Sequence, residues 1–190
     1  MRVCILILTS LILISCSSGA KTLNYDYLSK SKFQYYEPLK PVDLNGKSFR
    51  INVIDKRAEN KISCSEIAIT EDPELDGEKG LNYFRDYLMG MIQRNNGKIG
   101  QEDGRAIKIE LLGLSNEIYG FAYVRTFGLV EFIAYFDGNE KKYCSEMKTG
   151  DEDSPVGALV LTAKSGARMH LSGSVRRAFD EFFNDLSTMN

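Results

Sequence analysis

Leu129-Val130-Glu131-Phe132-Ile133-Ala134-Tyr135-Phe136-Asp137-Gly138-Asn139-Glu140-Lys141-Lys142-Tyr143 is the stretch on which the fold turns. Its first eight residues are rich in branched and aromatic side chains, as a strand requires, and Asp137-Gly138-Asn139 reads as a hairpin turn into a second strand, Lys141 to Lys148. Upstream, Ala106 to Leu114 and Ile118 to Val124 have the same composition. Together these segments predict an antiparallel sheet. Phe49, Ile51 and Val53 alternate with Arg50 and Asn52, the period of a half-buried strand, and Ile62 to Ile69 reads as a further strand beyond the charged connection Asp55 to Asn60.

Two helices flank the sheet residues. From about Glu78 to Asn95 the apolar Leu81, Phe84, Leu88, Met91 and Ile92 share one stripe, and Asn95-Asn96-Gly97 is a stop. From about Ala167 to Leu186, Leu171, Val175, Ala178, Phe179, Phe182 and Leu186 point inward and Arg176, Arg177, Asp180, Glu181 and Asp185 outward. The expected fold is α+β, an antiparallel sheet with two amphipathic helices packed on one face, formed as a single domain over 48–190. Val156 to Thr162 reads as a short strand or a covered loop.

Residues ahead of the domain carry an address. Met1-Arg2 and the apolar Val3 to Ile14 have the form of a secretory signal. That run is shorter than the roughly 20 apolar residues a spanning helix needs. The apolar Tyr119 to Phe136 region is interrupted by Gly120, Arg125, Thr126, Gly128 and Glu131 and suits a strand or strand pair better. Leu13-Ile14-Ser15-Cys16, followed by Ser17-Ser18-Gly19, resembles the lipobox of bacterial lipoproteins. The resemblance implies that 1–15 are removed as a signal peptide and that Cys16 is lipidated. It also implies that 16–47 form a tether and, since Ser17 rather than Asp follows the cysteine, that the outer membrane is the destination, with the domain facing the periplasm. Tyr25, Tyr27, Phe33, Tyr35 and Tyr36 within the tether suit an edge strand on the domain or a partner-binding stripe.

The order of lipobox, tether, early strand, helix, hairpin and terminal helix, with the stretch Ile51-Asn52-Val53-Ile54-Asp55-Lys56-Arg57, resembles the YajG-type small envelope lipoproteins. The chain departs from that pattern at Tyr119 to Phe136 and Val156 to Thr162. The resemblance implies a location and a fold type and carries no activity.

Composition restricts the chemistry. The 190 residues include 24 Lys plus Arg against 26 Asp plus Glu, 43% hydrophobic residues, one His, no Trp and four Cys. A balance of -2 and a pI near 5.6 give no general attraction for nucleic acid. No Gly-x-Ser-x-Gly elbow or His-Glu-x-x-His pair occurs, so no catalytic residue, metal site or cofactor is assigned. Gly46-Lys47-Ser48 ends like a phosphate loop, but Pro41 stands at the first glycine and a strand follows. Asp72-Pro73-Glu74-Leu75-Asp76-Gly77 opens like a calcium loop yet has Tyr83 where the twelfth-position acid belongs, and a solvated loop suits it and Asp151-Glu152-Asp153 better. His170 is expected at the surface or boundary of the last helix. With Cys4 lost and Cys16 lipidated, Cys64 and Cys144 are left either to form a disulfide or to stand as two buried thiols on separate strands.

These observations predict a non-enzymatic, lipid-anchored interaction or assembly module of the bacterial cell envelope. Its expected contacts are the membrane, through the anchor, and an envelope protein partner. A small-ligand or lipid-binding module, with Tyr119 to Phe136 lining a cleft, is the alternative.

Overall fold

Asp137 and Gly138 have φ of 50° and 77°, the left-handed pair that a two-residue type I′ turn needs and that matches the twist of the strands it joins. The computed structural model describes residues 42–59, 62–65, 75–100, 103–119, 125–150 and 163–188. The elements run β1 (Ser48–Asp55), α1 (Gly77–Arg94), β2 (Lys98–Ile99), β3 (Arg105–Tyr119), β4 (Arg125–Phe136), β5 (Asn139–Lys148) and α2 (Ala163–Thr188). From the turn, β4 and β5 pair without interruption from Phe136 opposite Asn139 to Phe127 opposite Lys148.

The sheet order is β2-β1-β3-β4-β5. β3, β4 and β5 are antiparallel, but β1 runs parallel to β3, with Ile51 opposite Ile107 and Val53 opposite Ile109, and β2 runs parallel to β1. The expected antiparallel sheet is therefore found in β3 to β5, and the whole sheet is mixed. The cause is α1, which lies between β1 and β3 in sequence and returns the chain to the same end of the sheet before β3 begins. Ile118 closes the 15-residue β3 instead of opening a separate strand. Of the expected strand Ile62 to Ile69, residues 62–65 are irregular, and 66–69 lie outside the described residues, as do 120–124 and 156–162.

β3 carries one irregularity that preserves its buried face. Leu111 opposes Phe132 and Gly113 opposes Glu131, so Leu112 is an extra residue. Without that bulge, Leu114 would point away from the side that Ile107, Ile109 and Leu111 share.

The core is built from aromatic rings. Phe132 of β4 meets Phe84 of α1 at 5.4 Å and Phe179 of α2 at 5.6 Å, and those two rings meet each other at 5.1 Å. Tyr143 of β5 stacks on Phe132 at 5.0 Å and stands edge-on to Phe182 of α2. Leu171, Val175, Ala178, Phe182 and Leu186 are buried as their spacing predicts, and Phe183 joins them. Arg176 was expected outside and is 3% exposed. It lies in the core because Met91 Sδ and Asp180 receive its guanidinium.

The packed chain starts before β1. Leu44, in the stretch read as tether, is fully buried, and its N–H donates to the Asn95 carbonyl at the end of α1. Gly46 N–H likewise donates to Asn96. These bonds satisfy carbonyls that a helix end leaves without intrahelical partners.

Candidate functional site

β4 presents its even-numbered residues to α2. Ser174 Oγ donates to the Gly128 carbonyl at 2.6 Å, and Thr126 Oγ1 lies 2.9 Å from His170 Nδ1. His170 is fully buried, not at the surface. Gly128 has no side chain, and the α2 backbone at His170 and Leu171 lies directly against it. Thr126 also bonds Thr149 through backbone and side chain. These bonds fix the imidazole beneath the helix.

The odd-numbered residues of β4 point to the opposite face, and there Glu131 is fully buried. Its Oε2 accepts the Ser63 N–H at 2.9 Å, and its Oε1 accepts from Ser63 Oγ at 2.8 Å and Lys142 Nζ at 2.7 Å. Lys142 Nζ also donates to Ser63 Oγ at 2.8 Å. Burial alone would raise the Glu131 carboxyl, but the bonds from Lys142 and Ser63 outweigh it and hold the group below its ordinary value. A hydroxyl and an amine this close invite comparison with a nucleophile and its base. The Lys142 ammonium, shared between carboxylate and hydroxyl, has no lone pair to take the Ser63 proton. The arrangement therefore binds chain to chain.

Cys64 adjoins this cluster. The structure brings it to Cys144, the residue opposite Glu131, with the Cα atoms 6.3 Å apart and a disulfide between the sulfurs. The 62–65 segment is thus held to β4 and β5 by one covalent bond and by the Glu131 carboxylate. Ile62 covers the place where a side chain on Gly113 would stand.

Two further clusters also join elements. Lys141 Nζ bonds Asp185 at 2.7 Å and Glu181 at 2.9 Å, and the Tyr143 hydroxyl donates to Asp185 at 2.7 Å. Burial, and then the Asp185 carboxylate, push the Tyr143 phenol well above its ordinary range. Arg57 joins Asp55 to the carbonyls of Leu75 and Gly77. Those carbonyls belong to the stretch that resembled a calcium loop, and a guanidinium already occupies them.

Among the described residues no group of three or more His, Cys, Asp and Glu is placed to hold a metal. No described helix is long and apolar enough to cross a membrane. Cys16, the tether aromatics, Asp72 and Asp151 to Asp153 lie outside the described residues. The apolar residues of β4 proposed to line a ligand cleft are buried in the protein instead: Val130 and Phe132 beneath the helices, Phe127 and Leu129 on the other face. Glu131 and Lys142 were not anticipated. The signal was one carboxylate inside an apolar strand, with a lysine one step diagonal to it across a hairpin whose register the turn already fixes.

No protein-family model matches the sequence, and no curated protein matches it. Several solved structures are loosely similar. A minor lipoprotein from Acinetobacter baumannii is 8% identical at a TM-score of 0.39, over 74% of this chain and 92% of its own. The rare lipoprotein B from Shewanella oneidensis is 15% identical at 0.38, over 72% and 98%. A hypothetical protein from Chlamydia trachomatis is 8% identical at 0.39, over 75% and 96%.

Proposed function

We infer that the chain is a lipid-anchored domain of the bacterial cell envelope, tethered through Cys16 on the periplasmic face of the outer membrane, and that it works as a non-enzymatic interaction or assembly module. The observation that carries this reading is Leu13-Ile14-Ser15-Cys16 at the end of a short apolar run. Two or three acyl chains, at about 0.8 kcal/mol per buried CH2, anchor far more firmly than the marginal single chain. The folded part supports the reading. Glu131 with Lys142, Arg57 with the Leu75 and Gly77 carbonyls, and Asp185 with Lys141 each tie one segment of chain to another. Their chemistry is spent on shape.

Two measurements test this. Cells fed labelled palmitate should incorporate it into the wild-type protein and not into Cys16→Ala. Photocrosslinking from Tyr25, Tyr35 and Tyr36 should then give one reproducible envelope-protein adduct that needs Cys16. Label that survives Cys16→Ala removes the anchor. Turnover of an envelope substrate by the purified protein, lost on mutation of a defined pocket, removes the non-enzymatic assignment.

A further inference from the structure

β5 is the last strand of the sheet, and among the described residues it pairs with β4 alone. In a two-residue hairpin the pair flanking the turn, here Phe136 and Asn139, exchanges both of its backbone hydrogen bonds, and such pairs then alternate along the ladder. The odd-numbered residues of β5 therefore bond inward to β4. The amides and carbonyls of Glu140, Lys142, Cys144, Glu146 and Lys148 point along the outer edge. The side chains of these same five residues share the face away from α2.

Their charges alternate in a pattern that is its own complement. We propose that the outer edge of β5 pairs antiparallel with β5 of a second copy of this chain, about a two-fold axis through Cys144 and perpendicular to the sheet. In that register Glu140 of each copy faces Lys148 of the other, and Lys142 of each faces Glu146 of the other. Four opposite-charge pairs form on one face, and every outward amide of the ten-residue strand finds a carbonyl. A two-fold edge pairing must keep both copies the same way up, so the axis passes through a residue. Moving it to Tyr143 sets Glu140 against Glu146, and moving it to Ser145 sets Lys142 against Lys148. Moving it further, to Lys142 or Glu146, sets that residue against itself. An axis at Lys141 or Met147 also sets opposite charges together, but only two pairs over a shorter overlap, so the register centred on Cys144 brings the most opposite charges together.

The side chains are placed to take part. Glu140 is exposed, Lys142 and Lys148 keep 45% and 47% of their side-chain surface and Glu146 keeps 19%, and the contact of Lys148 with Glu146 inside each strand, at 3.3 Å, is exchanged for the pairs across the axis. Lys142 gives one of its three donors to Glu131 and one to Ser63 Oγ and keeps the third for a second copy. A paired strand edge is a small interface, so association is weak in solution and is favoured where a lipid anchor confines the chains to one plane.

Sedimentation equilibrium of the full lipidated chain in detergent, at concentrations on the order of 100 µM, tests the pairing. The wild type is expected to dimerise. Glu140→Lys and Lys148→Glu each turn two attractions into two repulsions, so each raises the dissociation constant roughly tenfold. The double variant with both changes exchanges the charges and restores the wild-type value to within about threefold. Circular dichroism establishes that the variants are folded. Hydrogen exchange of the wild type gives an independent reading, because the amides of Cys144 and Glu146 should become better protected as concentration rises. A monomeric wild type, a dimer indifferent to the single reversals, a double variant no better than either single, or amide exchange independent of concentration overturns the proposal.

Discussion

Arg57 grips both oxygens of the Asp55 carboxylate, Nε to Oδ1 at 2.9 Å and Nη2 to Oδ2 at 2.6 Å, and gives two further donors to the Leu75 and Gly77 carbonyls, at 2.6 and 2.7 Å. The end of β1 is thereby fastened to the start of α1. Asp76, the helix N-cap, makes no capping bond with its own side chain, so this fork supplies order that the cap does not. The bond from Arg57 holds the Asp55 carboxyl below its ordinary range.

Replacing Arg57 by Met should cost about 2 kcal/mol, since it leaves a half-buried carboxylate and two carbonyls without their donor. Arg57→Lys should recover only part of that loss, because an ammonium cannot reproduce the planar fork. Urea denaturation of the three proteins checks both the size and the order.

Cys64 and Cys144 are 80 residues apart in sequence. Closing a loop of that length stabilises by up to about 4.5 kcal/mol in the chain-entropy model. Denatured but unreduced mature protein should show no reactive thiol from this pair, and Cys64→Ser with Cys144→Ser should lower the melting temperature. Two titratable thiols in the unreduced protein would remove the bridge.

The sequence carried the sheet and the helices unevenly, for physical reasons. The hairpin at Asp137-Gly138 was legible because few residue pairs tolerate two positive φ angles. The parallel direction of β1 was available in principle: strand, helix, strand is the order that returns a chain parallel to itself. The two-residue β2 is too short to leave a period. His170 and Arg176 were misplaced because helical periodicity sorts residues by polarity, whereas burial depends on whether the opposing surface offers a partner. Thr126 offers one to His170 and Met91 offers one to Arg176, to which Asp180 of the same helix adds a second. Glu131 was hidden for the same reason: its partner Ser63 is 68 residues away in sequence.

Glu131 makes the fold sensitive to acid. Its folded-state pKa lies below the ordinary 4.5. A carboxylate depressed in this way contributes its full stability above the unfolded value and loses it as pH falls through the folded one. The loss therefore falls below about pH 4.5. Glu131→Gln should destabilise by about 2 kcal/mol at neutral pH, where the carboxylate otherwise binds Lys142. Thermal melts across this range should show a shallower acid slope for the variant than for the wild type. Parallel slopes would mean that the carboxylate does not hold the 62–65 segment.

Gly128 sets how near α2 lies to the sheet. A β-carbon there would stand 2.0 Å from the Leu171 nitrogen and 2.3 Å from the His170 carbonyl carbon, and both are backbone atoms that no rotamer change can move. The bond from Ser174 Oγ to the Gly128 carbonyl and the contact of His170 with Thr126 both require this approach. Gly128→Ala should therefore force α2 outward and cost about 3 kcal/mol, the upper range for overpacking, by breaking both contacts as well as straining the backbone. Ser174→Ala removes only one neutral hydrogen bond and should cost about 1 kcal/mol. Denaturant melts of the two variants separate the cases. A Gly128→Ala loss no larger than that of Ser174→Ala would show that α2 can withdraw from β4 without penalty, and that the aromatic contacts around Phe132 alone hold the helix.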